Sequence, residues 1–325
     1  MESESYKPEH AIRVVTATSL FDGHDASINI MRRILQDAGV EVIHLGHNRS
    51  VREIVDAAVE EDVQGVAVSS YQGGHMEFFK YLVDLLKAEG ASHVKVFGGG
   101  GGVITPEEIK ALTAYGVSKI YTPEDGANMG LQGMIHHLIR QIDFSTTTDE
   151  KFDFNALVPA DKPMIARLIT AMEQAAAGKN GDLEIFRSAF QQKIAGRKTP
   201  VIGITGTGGS GKSSLTDELI LRLILDHQHI NVAIASCDPS RRKTGGALLG
   251  DRIRMNAIGN SRIYMRSLAT RQSSTELPEI LPDVIDALKV AGFDLIIAET
   301  AGIGQGDSRI VDMADLSIYV MTGEF

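Results

Sequence analysis

Gly206-Thr207-Gly208-Gly209-Ser210-Gly211-Lys212-Ser213 decides the reading of the second half of the chain. It fits GxxxxGK[ST] and lies between an apolar run at Pro200–Thr205 and a helical pattern at Ser214–Asp226, the context a phosphate-binding loop requires. Glycine lets the backbone wrap closely and turn its N–H groups toward phosphate oxygens at the positive end of the next helix. Gly206, Gly208, Gly209, Ser210, Gly211 and Ser214 are the expected nucleotide cradle. Lys212 is expected to reach the β- and γ-phosphates, and the Ser213 hydroxyl to ligate Mg²⁺. Further strands at Asn231–Ser236 and Phe293–Ala298, with a helix at Ile280–Ala291, place a second α/β domain over residues 199–325. Asp238 follows one of these strands and Glu299 ends another, both where a carboxylate meets a nucleotide-bound metal.

Upstream, residues 11–142 alternate short β-branched runs with helical patterns. Strands are expected at Ile12–Ala17, Val40–His44, Gly65–Ser69, Val94–Phe97 and Lys119–Tyr121. Helices are expected at Ile28–Ala38, Val51–Asp62, Met76–Glu89, Pro106–Ala114 and Ala127–Ile142. Continuous apolar strands separated by helices indicate a doubly wound parallel sheet with both faces covered. In the common strand order 2-1-3-4-5, the segments after strands 1 and 3 border one crevice at the carboxyl edge. Those segments are Asp22-Gly23-His24-Asp25-Ala26-Ser27 and Ser69-Ser70-Tyr71, with Gly98–Gly102 beside them. Between the halves, polar DFSTTTDEKFDFN and two helical patterns, Pro163–Ala177 and Leu183–Ala195, read as a helical linker over 143–198.

Composition narrows the partners. The 325 residues carry a net charge of −10, which excludes general attraction to nucleic acid or anionic membrane and makes any phosphate site local. One cysteine excludes a disulfide framework or a multi-cysteine metal cage. The first residues, MESESYKPEH, lack the basic-then-apolar pattern of a secretory signal, so a cytoplasmic location is expected. The pairs His44/His47 and His136/His137 have no cysteine or acid cluster to complete a metal site.

Two resemblances sharpen this reading. Asp238-Pro-Ser-Arg-Arg-Lys-Thr-Gly-Gly-Ala-Leu-Leu-Gly-Asp251-Arg-Ile-Arg254, with Glu299-Thr-Ala-Gly-Ile-Gly-Gln305, resembles the G-protein chaperones of cobalamin-dependent acyl-CoA mutases. That resemblance implies that Asp238 and Asp251 help hold Mg²⁺, that Arg254 contacts nucleotide, and that Glu299 and Thr300 sense metal and γ-phosphate. Lys243 is a further candidate, as a stabiliser of transition-state charge. The guanine-reading Asn-Lys-x-Asp tetrad is absent, so GTP/GDP follows from the resemblance alone, and the G domain is expected to be truncated.

The segments after strands 1, 3 and 4 resemble the DxHxxG…SxL…GG pattern of domains that bind cobalamin base-off with a protein histidine on cobalt. The resemblance implies His24 as cobalt ligand and Asp22 as acceptor of its other ring N–H. Ser69 or Ser70 would hold the displaced base, and Gly98 and Gly99 would leave room for it, since any Cβ there would fill the slot. Ser27 and Tyr71 depart from the pattern, standing where it has Gly and Leu.

Together the halves resemble the amino-terminal part of fused isobutyryl-CoA mutases: a flavodoxin-like (Rossmann-type) cobalamin-binding domain over 1–142, the linker, and a P-loop G-protein domain. The resemblance implies an isomerase that uses adenosylcobalamin to interconvert isobutyryl-CoA and n-butyryl-CoA, with GTP hydrolysis gating cofactor loading. It also implies a TIM-barrel mutase region, missing here, that takes the acyl-CoA, and a homodimer in the complete protein. Two alternatives stay open: a corrinoid-delivery GTPase without mutase activity, and a phosphate-loop ATPase on a flavodoxin-like regulatory domain in which His24 is merely structural.

Overall fold

A computed structural model describes residues 6–148, 151–179, 181–241, 243–271, 277–302 and 307–323. The chain divides into two compact units, residues 1–146 with 243–250 and residues 147–242 with 251–325.

In the first unit the strands are β1 (Arg13–Ser19), β2 (Glu41–Arg49), β3 (Gly65–Ser69), β4 (Lys95–Gly99) and β5 (Lys119–Tyr121). They alternate with α1 (Ala26–Asp37), α2 (Val51–Glu60), α3 (His75–Ala88), α4 (Pro106–Tyr115) and α5 (Pro123–Ile142). The sheet is parallel in the expected order, β5-β4-β3-β1-β2. Every residue of β1 and β3 is buried, as continuous apolar strands between two helical layers must be.

Helix starts follow local chemistry. Ser50 with Glu53, Thr105 with Glu108 and Thr122 with Asp125 form reciprocal capping boxes, the last two followed by a proline in the first turn. The Thr122 box starts α5 at Pro123 and not at Ala127, and Gly130 (φ 67°, ψ 172°) kinks the helix that follows. Leu35 of α1, Phe97 of β4 and Ile135, Leu138 and Ile139 of α5 share one core on this face of the sheet.

The second unit contains α6 (Lys162–Ala176), α7 (Leu183–Ile194), β6 (Val201–Gly206), α8 (Lys212–Asp226) and β7 (Val232–Asp238). After β8 (Ala247–Leu249), which belongs to the first unit, come β9 (Ile263–Ala269), α9 (Leu281–Ala291), β10 (Leu295–Glu299), α10 (Asp307–Met313) and β11 (Leu316–Val320). Its parallel sheet has the order β11-β6-β10-β7-β9.

The two helices read as a linker over 143–198 pack on a neighbour: Ile165, Leu168, Ile169 and Met172 of α6 and Phe190 of α7 share one core with Leu281, Val284 and Leu288 of α9. Two features differ from expectation. Strand β9 was unanticipated, since Arg266 interrupts its apolar run. That arginine is fully buried, and its Nη2 donates to Thr170 Oγ1 (3.0 Å) and Glu173 Oε2 (2.9 Å) of α6. Strand β8 is too short to show periodicity, and it pairs parallel with β2 as a sixth strand of the first sheet. Gly246 makes its approach possible, because a Cβ there would lie 2.0 Å from the Gln36 carbonyl oxygen.

Candidate functional site

The first candidate site lies at the carboxyl ends of β1 and β3. Hydroxyls join the two strand ends: Ser19 Oγ donates to Ser70 Oγ (2.9 Å), and Thr18 Oγ1 meets Ser69 Oγ at 3.2 Å. Ser70 is committed to this bond, whereas Ser69 lines the neighbouring cavity. Asp22 is buried between the strands. Its Oδ2 accepts from Tyr71 N, and its Oδ1 accepts from His24 N (2.9 Å) and lies 2.8 Å from His24 Nδ1. Burial pushes the Asp22 carboxyl up, but these hydrogen bonds outweigh it and hold the pKa below the usual carboxylate value. An ionised Asp22 only accepts, so His24 Nδ1 carries the proton in this bond, and in the neutral ring the lone pair is on Nε2. The His24 side chain is 78% exposed, so that lone pair is presented outward beside the cavity.

The cavity, about 230 Å³, runs between α1 and α5 beneath the ends of β3 and β4. Its lining is mainly apolar, with Ile28, Met31, Phe97, Met134 and Leu138 prominent and Ser27, Tyr71 and Gly98–Gly101 also contributing. Gly98 serves a purpose other than the one expected. A Cβ on Gly98 would strike Phe79 Cζ at 2.5 Å and Ile120 Cδ1 at 2.6 Å, so Gly98 is small for packing and not for the cavity. A Cβ on Gly99 would meet only Tyr121 O, at 3.6 Å, an ordinary contact. Gly100 and Gly101 admit close neighbours: added Cβ atoms would lie 2.4 Å from Ser70 O and 2.4 Å from Tyr71 Cε1.

The second candidate site is a cavity of about 380 Å³ in the other unit. Gly208, Gly209, Gly211, Lys212, Ser213 and Ser214 line it together with Asp238, Asp251, Arg254, Glu299 and Thr300. Gly206 and Ser210 belong to the loop but are not among the lining residues. Gly206 (φ 141°) is required structurally, since a Cβ would sit 1.9 Å from Val320 O of β11. Lys212 Nζ bridges the carbonyls of Gly206 (3.1 Å) and Thr207 (3.0 Å), which poises it over the loop. Lys243 is not brought to this cavity: it falls in the 243–250 segment of the first unit, so the geometry gives no support to the charge-stabilising role expected for it.

Acidic and hydroxyl oxygens converge here. Ser213 Oγ donates to Glu299 Oε1 (2.7 Å) and lies 3.4 Å from Asp251 Oδ1, and Thr216 Oγ1 donates to Glu299 Oε2 (2.8 Å). Asp251 also accepts from Ser236 Oγ and lies 3.4 Å from Arg254 Nη1. Burial, and then the charge of Asp251, push the Glu299 pKa above its usual value. Among the described residues no three His, Cys, Asp or Glu side chains form a metal cage. Hard oxygens around one hydroxyl nevertheless fit Mg²⁺, which keeps several waters and takes further oxygens from nucleotide phosphates.

Sequence reasoning missed three participants. Thr216 falls three residues after Ser213 on the same face of α8, a spacing that could have revealed it. Ser236 gave no such signal. Gly302 (φ 71°) is forced by close approach, since a Cβ would lie 2.2 Å from both Lys212 Nζ and Gly206 O. Gln305 lies outside the described residues. Two of the four histidines set aside as metal ligands have structural partners: His44 is buried against Thr16 Oγ1 (2.9 Å) and His137 Nδ1 lies 2.9 Å from the Tyr121 hydroxyl.

Comparison with known proteins bears on both halves. Residues 12–129 match the B12 binding domain family, and residues 165–324 match the methylmalonyl-CoA mutase-associated GTPase MeaB family. A fused isobutyryl-CoA mutase of Geobacillus kaustophilus is 60% identical over 98% of this chain, and one of Cupriavidus metallidurans is 59% identical over 98%. The chain spans 30% and 29% of the length of these two relatives. No described helix is long and apolar enough to cross a membrane. Nearly the whole chain is thus similar to somewhat under a third of each fused isobutyryl-CoA mutase, with a stretch that matches the B12 binding domain family ahead of one that matches the MeaB GTPase family.

Proposed function

We propose that the chain holds adenosylcobalamin through His24 and a Mg²⁺–guanine nucleotide through the phosphate loop, as part of a mutase interconverting isobutyryl-CoA and n-butyryl-CoA. The observation that carries this reading is the Asp22–His24 pair. One ring nitrogen is bonded to a buried carboxylate at 2.8 Å, and the other faces outward beside an open, apolar cavity. Asp22 fixes the tautomer, raises the basicity of Nε2 and keeps the ring from rotating. The cavity receives the cofactor's displaced base between α1 and α5, where its apolar walls exclude water and the Ser69 hydroxyl offers a polar contact. When bound, adenosylcobalamin supplies a carbon radical by homolysis of its cobalt–carbon bond.

In the GTPase unit, Lys212 would move from the loop carbonyls to the β- and γ-phosphates, replacing two neutral acceptors with charged ones. Ser213 would contribute its hydroxyl to Mg²⁺, with Asp251 and Asp238 completing the protein side, and Glu299 would orient that hydroxyl. Thr300 and Arg254 would report the γ-phosphate and hold the nucleotide. Hydrolysis of GTP then gates loading and release of the cofactor. The acyl-CoA site belongs to a mutase region supplied by the rest of a longer protein or by another chain, consistent with relatives about three times as long. In this reading the complete protein is a cytoplasmic homodimer.

Visible and paramagnetic-resonance spectra of the chain with cobalamin test the reading. Histidine-on ligation, with nitrogen hyperfine coupling that disappears in His24→Ala, is expected. A spectrum unchanged by His24→Ala would sink it.

A further inference from the structure

The two residues that depart from the family pattern are bonded to each other. Ser27 Oγ and the Tyr71 hydroxyl lie 2.8 Å apart, although one opens α1 and the other follows β3. Glycine and leucine at these positions could not make this bond, so the two departures form one unit.

Tyr71 is held on three sides. Its backbone N–H donates to buried Asp22, its ring packs so closely on Gly101 that no Cβ fits there, and its hydroxyl reaches Ser27. Its ring also lies 5.6 Å from that of His24, centroid to centroid. Ser27, Tyr71 and Gly101 all line the cavity, and all keep some exposure to solvent. Leu35 and Phe97, lining the same cavity, are fully buried, so the three solvent-facing residues lie on its rim, with exposed Pro123 and Leu131 of α5 also on it. The tyrosine side chain therefore spans the side of the mouth between the glycine loop and the start of α1.

We propose that the Tyr71–Ser27 hydrogen bond is a latch across the mouth of the cavity, which must open for the nucleotide tail of a corrinoid to pass. This inference rests on the reading of the cavity as the tail site and adds a kinetic discriminator to it. A corrinoid with a tail meets the latch, while one without a tail reaches His24 directly. The backbone bond to Asp22 lets the ring swing without unseating the loop, so opening costs the hydroxyl bond and the ring's contact with Gly101.

Stopped-flow absorbance on the full chain tests this with two probes: cobalamin, and cobinamide, which lacks the nucleotide tail. A neutral, partly buried hydrogen bond contributes about 1 kcal/mol, so Tyr71→Phe and Ser27→Ala should each speed cobalamin association by about fivefold. The double variant should gain no more than either single one, because both remove the same bond. Cobinamide association should match that of the unaltered chain in all variants. Unchanged cobalamin on-rates, additive effects, or equal acceleration with cobinamide would each overturn the latch. Slower association would overturn it too, and would identify the hydroxyls as direct contacts to the tail. Failure of the unaltered chain to bind cobalamin histidine-on would instead overturn the underlying reading of the site.

Discussion

Single side chains set the conditions under which the first unit works. His44, buried on β2, has its pKa lowered to about 4 by burial and by the nearby Arg32 and Arg49 charges. In the unfolded chain it titrates near the ordinary 6.5, so between pH 6.5 and about 4 the unfolded state holds more protons. Stability should therefore fall as pH drops through that window, and its slope should vanish below it. Urea unfolding as a function of pH should show this component, and His44→Gln should flatten it. Cys237 is the opposite case, an inert group whose thiol pKa is pushed well up by burial and then by Asp238. It should resist an aromatic disulfide reagent in the folded protein and react fully in guanidinium; fast labelling of the native state would contradict its burial. At this scale the sequence was legible where spacing carries chemistry, as in Asp22–His24 and Lys212–Ser213. It named Ser69 or Ser70 and Gly98 without their packing partners, Ser19 for Ser70 and Phe79 and Ile120 for Gly98, which only the paired strands and helices set.

Helices and strands were legible where their own residues state the element. β-Branched runs and helical periodicity located most boundaries within a few residues. Strand β9 was not legible, because Arg266 makes sense there only once Glu173, far away in sequence, is paired with it. Arg271 Nη2 lies 3.1 Å from the other Glu173 oxygen, so one carboxylate serves two guanidinium groups. Glu173→Gln would remove the carboxylate charge paired with a fully buried arginine and should cost roughly 3–5 kcal/mol in the unfolding free energy. A loss below 1 kcal/mol would show that the pair is dispensable. A second tie joins the start of the chain to the end of α5. Asp143 accepts from the Tyr6 hydroxyl (2.6 Å), Glu9 N (2.9 Å) and His10 N (3.0 Å). Asp143→Ala should release residues 6–10, measured as faster amide exchange confined to that segment. Asp143 stands at the composition shift read as a domain boundary, and nothing in its local sequence marks it as a clamp.

For the whole molecule, the legible feature was the succession of two α/β folds, since each carries its own motif and periodicity. The division between them was not, because strand exchange leaves no local signature. The segment 243–250 leaves the second unit after Asp238 and returns to it at Asp251, two of the residues expected on Mg²⁺, yet its β8 completes the sheet of the first unit. A fragment of residues 1–146 would expose the β2 edge that β8 covers, and exposed edges invite self-pairing. Sedimentation should show that fragment associating at concentrations where the full chain does not. A synthetic peptide of residues 243–250 should suppress the association, and indifference to the peptide would argue against the pairing. No single cut in the gene yields both halves whole. Transplanting the leading fold into another protein would mean carrying along a strand encoded deep inside its neighbour, so the two halves can be inherited together far more readily than apart.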